Sequence, residues 1–445
     1  MKIIRVLLSC LLTGVILFFG VKPALAFCGF YVAKADTSLY NQASQVIIAR
    51  DEDRTVLTMS NDYQGEVKDF AMVVPVPVIL KEEQVHVGEA KILQRLDDFS
   101  APRLVEYFDD DPCEIRAYED GIAFNSAPQA APSLRQKKAD ADLGVTVEEQ
   151  FSVGEYDIVI LSAKESGGLE TWLRQNDYQI PEGAKELLQP YIRQNLKFFV
   201  AKVNLEEYDS NGFEKLRPIS MAYESPKFML PIRLGMMNAN GDQDLIVYLL
   251  SPKGQVELSN YRTVKVPSDS EVPEFVKEEF KDFYTAMFQN SYIRENKKVA
   301  FLEYAWDMGS CDPCSAEPLN REELKEAGVF WLDSTPSNPR FFGNSNVFIT
   351  RLHVRYSRDR FPEDLKFQQT SDRDLFQGRY VIRHPYTGDI TCDAGKEYQQ
   401  SVRDRQEREA KTLAKLTGWN IESIRDRIKF VKAEPVEWWE NLWNR

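Results

Sequence analysis

The sequence predicts an α+β protein with antiparallel or mixed sheets, interspersed short helices and a helical C-terminal end. Three observations lead there. Apolar residues recur in short extended runs, such as "SQVIIAR", "LKFFVAKV" and "NVFITRLHV", along the whole 445-residue chain. Helical spacing is confined to brief segments between those runs and to the C-terminal part. Strands and long helices do not alternate regularly, as a parallel α/β sheet would require.

In chain order, "SQVIIARDEDRTVLTMSNDYQG" reads as two strands around an acidic turn, with Val46, Ile47 and Ile48 in one and Val56 and Leu57 in the other. "DFAMVVPVPVIL" is a third extended run. Pro75 and Pro77 cannot donate to a ladder, which places it at a sheet edge or in a crossing. Glu89 to Asp98 spaces its apolar residues as a short helix, and "EYFDDDPCE" follows as an acidic loop carrying Cys113. Residues 120–143 are rich in Ala, Pro and polar residues without any period, so they read as an exposed linker or long loop. They divide an N-terminal part, 27–119, from a C-terminal part, 144–445, which is either its own unit or one continuous domain with 27–119.

"VTVEEQFSVGEYDIVILSA" is a strand pair turning at Gly154, and two short helices broken by Pro181 follow. "LKFFVAKVNL" returns as a strand. "FMLPIRLGMMNANGDQDLIVYLLSP" suggests two strands joined near Asn240-Gly241. Phe275, Val276, Phe280, Phe283 and Met287 recur at helical spacing over 273–292. The strands "KKVAFLEYAW", "NVFITRLHVRYS" and "GRYVIRH" come next, before two helices between about Ala394 and Val431. "VEWWENLWNR" ends the chain with Trp439 and Trp443 one helical turn apart. The acids around them oppose a membrane-surface role and favour docking onto the protein itself.

Lys2 and Arg5, an uncharged run from Val6 to Val21 and the small residues Ala24 and Ala26 form a secretory signal with cleavage near Ala26. An uncleaved N-terminal anchor is the alternative. A lipid-modified cysteine fits poorly, because Phe27 precedes Cys28. Residues 1–26 are thus expected to be removed, leaving a periplasmic or secreted protein without a membrane span. The whole chain carries a formal charge of −14, and losing Lys2, Arg5 and Lys22 leaves 52 bases against 69 acids. Such a chain repels polyanions, so nucleic acid is excluded as a partner. The expected partner is an unidentified protein or small molecule outside the cytoplasm.

The motifs are sparse. There is no G-x-S-x-G elbow, no H-E-x-x-H helix and no P-loop, and the chain has only three histidines. In "ITRLHVRYSRDR" the period of two sets Arg351, His353 and Arg355 on one strand face, a candidate grip for an anion. The alternative is a solvated face paired with neighbouring acids. Asn238, Asn240, Asp242 and Asp244 invite a calcium reading, as do Asp109, Asp110, Asp111 and Glu114. The first set has its glycine misplaced and lacks a bidentate glutamate at the twelfth position, and both read better as polar turns. No cofactor is predicted, with calcium or zinc as the metals to consider.

Cys28, Cys113, Cys311, Cys314 and Cys392 remain after cleavage, so one or two disulfides are expected in an oxidising compartment. The pair in "WDMGSCDPCSAEPL" has three readings. In a thioredoxin-like site the first cysteine caps a helix. Here Asn320 and Glu323 form a later capping box, and Asp312 and Glu317 disfavour a thiolate. A zinc site would have to recruit Cys311, Cys314, His384 and Cys392 from scattered places. A structural disulfide, to each other or to Cys392, is favoured. The leading reading is a non-catalytic binding or structural scaffold. The alternative is an exported thiol–disulfide oxidoreductase or metal-dependent enzyme using Cys311 and Cys314.

Several stretches together resemble the bacterial domain-of-unknown-function 2330 family of exported proteins. They are "CGFYVAKAD", "ASQVII", "NDYQG…FAMVVPVP", "TWLRQNDYQIP", "CDPCSAEPL", "TRLHVRYS…FPEDLKFQQT", "FQGRYVIRHPYTG" and "LTGWN". The resemblance implies an exported protein without an assigned activity. It transfers no catalytic or ligand residue onto these positions.

Overall fold

β-branched and aromatic residues, which suit a pleated surface, fill the strands of a computed structural model. It describes residues 30–33, 40–64, 70–113, 145–176, 184–210, 216–237, 241–312, 314, 316–332, 346–390, 392 and 394–432. The first part runs β1 (Phe30–Ala33), β2 (Tyr40–Asp51), β3 (Arg54–Gln64), β4 (Phe70–Val76), β5 (Val85–Val87), α1 (Lys91–Ser100) and β6 (Arg103–Phe108). Next come β7 (Val145–Val153), β8 (Tyr156–Ala163), α2 (Ser166–Gln175), α3 (Ala184–Arg193), β9 (Lys197–Val203) and α4 (Leu205–Ser210). The middle holds β10 (Ile219–Glu224), β11 (Met229–Leu230), β12 (Gln243–Ser251), β13 (Val256–Leu258), β14 (Arg262–Lys265) and β15 (Ser270–Glu271). The rest is α5 (Phe280–Arg294), β16 (Val299–Asp307), α6 (Arg321–Glu326), β17 (Phe348–Tyr356), β18 (Leu365–Gln369), β19 (Phe376–Gln377), β20 (Arg379–His384), α7 (Ala394–Thr417) and α8 (Ile421–Arg425).

The fold is α+β. A five-stranded sheet has the order β1-β4-β9-β8-β7, and a nine-stranded sheet runs β14-β16-β17-β12-β2-β3-β10-β5 with β19 beside β16. Two three-stranded sheets, β11-β18-β13 and β15-β20-β6, flank them. The two large sheets pack face to face. Met72 and Val74 of β4, Ile158 and Ile160 of β8 and Phe199 of β9 share one apolar cluster with Val46, Leu57, Val247, Leu302 and Leu352 of the larger sheet. The outer face of the five-stranded sheet is covered by Leu169 and Leu173 of α2 and Leu188 and Tyr191 of α3. The outer face of the nine-stranded sheet carries two separate clusters. One lies under α1 and α6, around Leu96, Phe99 and Leu324. The other lies under α5 and α7, around Phe283, Met287 and Leu413. Helix, sheet, sheet and helix therefore form four layers.

Strands from both sides of 120–143 share these sheets: β4 pairs with β9, and β2 pairs with β12. The acidic turn between β2 and β3 places Glu52 at a φ of 54°, and Gly154 turns between β7 and β8 at a φ of 56°. Pro75 lies past the end of β1, whose last partner on β4 is Val73, so its missing N–H costs no ladder bond there. The capping box at α6 is present, with Asn320 accepting from the Glu323 amide and Glu323 from that of Asn320, both at 2.9 Å.

Four expectations are corrected. "EYF" is not loop: it ends β6, which pairs in parallel with β20. The run 273–292 is not one helix, since a 3₁₀ turn at Glu274–Lys277 precedes α5. β11 and β12 are not a hairpin, because the two-residue β11 pairs with β18 while β12 lies between β17 and β2. Pro231 directly after β11 removes a donor from any continuation. The fourth correction is partial: β4 is interior where β1 flanks it, whereas at Pro75 it borders only β9 among the described residues, an edge position as expected.

Candidate functional site

Alternation along β17 sends Phe348, Leu352, Val354 and Tyr356 into the core between the sheets. It sends Ile349, Arg351, His353 and Arg355 to the other face. That face meets the two helix-covered clusters, and the three cations lie at the seam between them. Each is matched by a carboxylate from a different element. Arg351 Nη1 is 2.6 Å from Asp97 of α1, and its Nε is 2.7 Å from Glu303 of β16. His353 Nδ1 is 2.8 Å from Glu303 and its Nε2 is 3.2 Å from Asp244 of β12. Arg355 forks onto Asp244 at 2.7 and 2.6 Å and reaches Gln289 of α5 at 2.6 Å. Three cations thus face three anions, Asp97, Asp244 and Glu303.

Glu303 is in position because of a β-bulge. The register of β16 against β17 slips between Leu302 and Tyr304, leaving Glu303 as the extra residue. Bulges re-aim side chains in this way and recur next to functional sites. Its carboxyl is 1% exposed and also accepts from the Tyr284 hydroxyl of α5. Phe288 closes the seam by stacking on the His353 ring at 3.9 Å between centroids. Tyr248 donates to Asp97 at 2.9 Å, and the Arg351 guanidinium lies over its ring.

Charge follows geometry. Burial pushes the Glu303 carboxyl up, yet His353, Arg351 and the Tyr284 hydroxyl outweigh it and hold its pKa down at about 2. Burial opposes the charge on Asp244 as well, and His353 and Arg355 bring it to about 2. Burial pushes His353 down, but Glu303 and Asp244 raise it to about 9. Glu303, Asp244 and His353 are ionised throughout the neutral range.

Arg351, His353 and Arg355 therefore do come together, but their charge is matched within the protein. Asp97, Asp244 and Glu303 stand where a gripped anion would. The pairing with acids of neighbouring strands that the alternative expected is present, but on a face that is not solvated, since His353 is only 13% exposed and Arg351 7%. The sequence reading missed Glu303, Asp97, Tyr284 and Gln289. The one available signal was a glutamate inside the apolar run "VAFLEYAW".

The cysteines take two pairings. Cys311 and Cys314 are at bonding distance with Cα atoms 5.0 Å apart, and Cys113 and Cys392 with Cα atoms 5.8 Å apart. Cys28 lies outside the described residues. The zinc set does not assemble, since Cys392 faces Cys113 rather than the Cys311 loop. His384 instead contacts Glu106 at 2.8 Å and stacks on Phe108. Of the calcium candidates, Asp109 binds Arg405, Asp111 accepts from the Cys113 amide and Tyr386, and Asp242 pairs with Lys297. Asn238, Asn240 and Glu114 lie outside the described residues, as do the C-terminal tryptophans. No group of three metal-ligating side chains occurs among the described residues. No helix among them is long and apolar enough to cross a membrane.

No curated protein and no solved structure matches this chain. A family model described as an uncharacterized protein conserved in bacteria matches residues 22–368. That span takes in the whole ionic row and the Cys311–Cys314 loop, and ends before β19, β20 and the last two helices. The stretches "FQGRYVIRHPYTG" and "LTGWN" lie beyond it. The chain belongs to the domain-of-unknown-function 2330 family.

Proposed function

We propose that the mature chain is an extracytoplasmic, non-catalytic scaffold that presents its α+β frame to a protein or small-molecule partner. The observation that carries this reading is the commitment of His353, the least exposed of the three imidazoles. Both nitrogens of His353 are held by carboxylates, Glu303 and Asp244. General acid–base chemistry needs a nitrogen within reach of a substrate proton. Here each is used to lock β12, β16 and β17 under α5. Two cysteine pairs at bonding distance agree with an oxidising compartment, and the acidic chain disfavours polyanions.

One observation favours a second reading. Cys314 is exposed, so a reductant or client thiol can reach the Cys311–Cys314 pair, as a thiol–disulfide oxidoreductase requires. Insulin reduction by the purified mature protein separates the two. The scaffold reading expects a rate equal to the buffer blank, and the same rate for Cys311→Ser/Cys314→Ser. Catalysed reduction that vanishes in the double variant overturns it in favour of the oxidoreductase.

A further inference from the structure

Helix α7 carries a buried acid with one carboxylate oxygen left without a hydrogen bond. Glu409 is 5% exposed, and its Oε1 accepts no hydrogen bond. The nearest cation is Arg405 one turn back, with Nε 3.6 Å away. That guanidinium is turned toward Asp109, which it holds at 3.2 and 2.7 Å, and its own Nε donates no hydrogen bond.

The charged groups around Glu409 are divided between the two signs. Glu271 of β15 and Glu274 of the 3₁₀ turn both oppose its charge, and of its own helix Arg405 and Arg408 favour it. Arg383 and His384 of β20 do not relieve it, since Arg383 pairs with Glu271 at 3.0 Å and His384 faces Glu274 at 3.5 Å. β6 contributes Glu106, paired with Lys277 of the same turn. From α5, Arg294 donates to the Lys415 carbonyl, and the helix also carries Lys281 and Asp282. From α8, Arg425 is shared by Glu407 and Glu422. Burial, more than any neighbour, raises the Glu409 carboxyl, to about 7.

We propose that Glu409 is a proton-operated latch holding α7 against the sheet β15-β20-β6. With a proton the carboxyl rests in the interface as a neutral group. Without it, a buried charge facing Glu271 and Glu274 drives this part of α7 toward water. The helix stays tethered near its start, where Cys392 meets Cys113 and Tyr398 donates to Asp109 at 2.8 Å. Opening uncovers the apolar face that Ala410 and Leu413 share with Tyr380 and Ile382.

Hydrogen exchange of the α7 amides in the full mature chain tests this, read as an opening constant corrected for intrinsic exchange. If opening returns Glu409 to water, the constant rises about 300-fold between pH values well below 4.5 and well above 7, of which about 150-fold falls above pH 4.5. Glu409→Gln should abolish the rise. A flat wild-type profile, or an undiminished rise in Glu409→Gln, overturns the latch. Should that variant fail to fold, a side-chain carboxyl titration of the wild type decides. A Glu409 signal that titrates at the ordinary glutamate value refutes the proposal, and one near neutrality supports it.

Discussion

Replacing Glu303 by Gln removes one buried charge while keeping the size of the side chain, and turns one of its two acceptor oxygens into a donor. Two cations lose their shared partner. Arg351 keeps Asp97, which is one-third exposed, and His353 keeps Asp244 at 3.2 Å. Breaking a buried pair from one side typically costs about 3–5 kcal/mol, because the surviving charge is left uncompensated. The same change predicts a shape for stability against pH. The folded pKa of His353 is raised from 6.5 to about 9. Its stabilisation is therefore complete below pH 6.5 and is lost as pH rises through about 9. The full size of that loss is about 3 kcal/mol. Glu303 and Asp244 are depressed to about 2 from 4.5 and 3.8, so their contribution is present above those ordinary values and disappears as pH falls through about 2. Urea unfolding at a series of pH values should show a drop for Glu303→Gln at neutral pH and a shortened alkaline limb. A variant as stable as the wild type, with the alkaline limb unchanged, would show that the row does not hold the seam together.

The triple variant Glu303→Leu, Arg351→Met, His353→Leu should recover most of the stability lost in Glu303→Gln, since apolar replacement of a buried ionic group is often neutral or better; a second large loss in urea midpoint counts against this. His353→Gln should remove the stability slope between pH 6.5 and 9 while leaving any slope below it, which thermal melts across that range read directly. Replacing Cys113 and Cys392 by Ser should lower the melting temperature more than replacing Cys311 and Cys314. Loop-closure entropy for a separation of 279 residues is worth about 5.6 kcal/mol at most, against about 1.6 for a separation of 3; equal shifts would contradict it. N-terminal sequencing of protein from the extracytoplasmic fraction should start at Phe27, and membrane-bound material starting at Met1 would overturn the signal-peptide reading.

The elements that could be read from the sequence were those whose pattern is local. The β2–β3 hairpin follows from two apolar runs around an acidic turn, and the α6 start from Asn320 with Glu323. β17 followed from its period of two, which placed Arg351, His353 and Arg355 on one face correctly. What that period could not supply was what the face meets. The partners come from α1, β12 and β16, at separations of 254 residues for Asp97, 109 for Asp244 and 48 for Glu303. No periodicity in one strand reports on such neighbours.

The bulge makes the difficulty sharper. By strict alternation along "VAFLEYAW", Glu303 should share a face with Phe301 and Ala305, and Tyr304 should point the other way. Instead the slip at Glu303 turns Tyr304 and Trp306 to the same side as Phe301, toward the helices, while Ala305 joins the core between the sheets. One inserted residue thus resets the phase of the strand and leaves a glutamate where it can reach Arg351 and His353 together. A lone acid in an apolar run was visible in the sequence, but it fits a solvent-facing edge equally well until β14 and β17 are placed on either side of β16. Parallel pairings such as β6 with β20 were hidden for the same reason, since nothing in "EYFDDD" points to a partner more than 270 residues away. Local chemistry decides that these segments are strands. Which charges end up buried is decided by the order of the strands, and that order is a property of the whole chain.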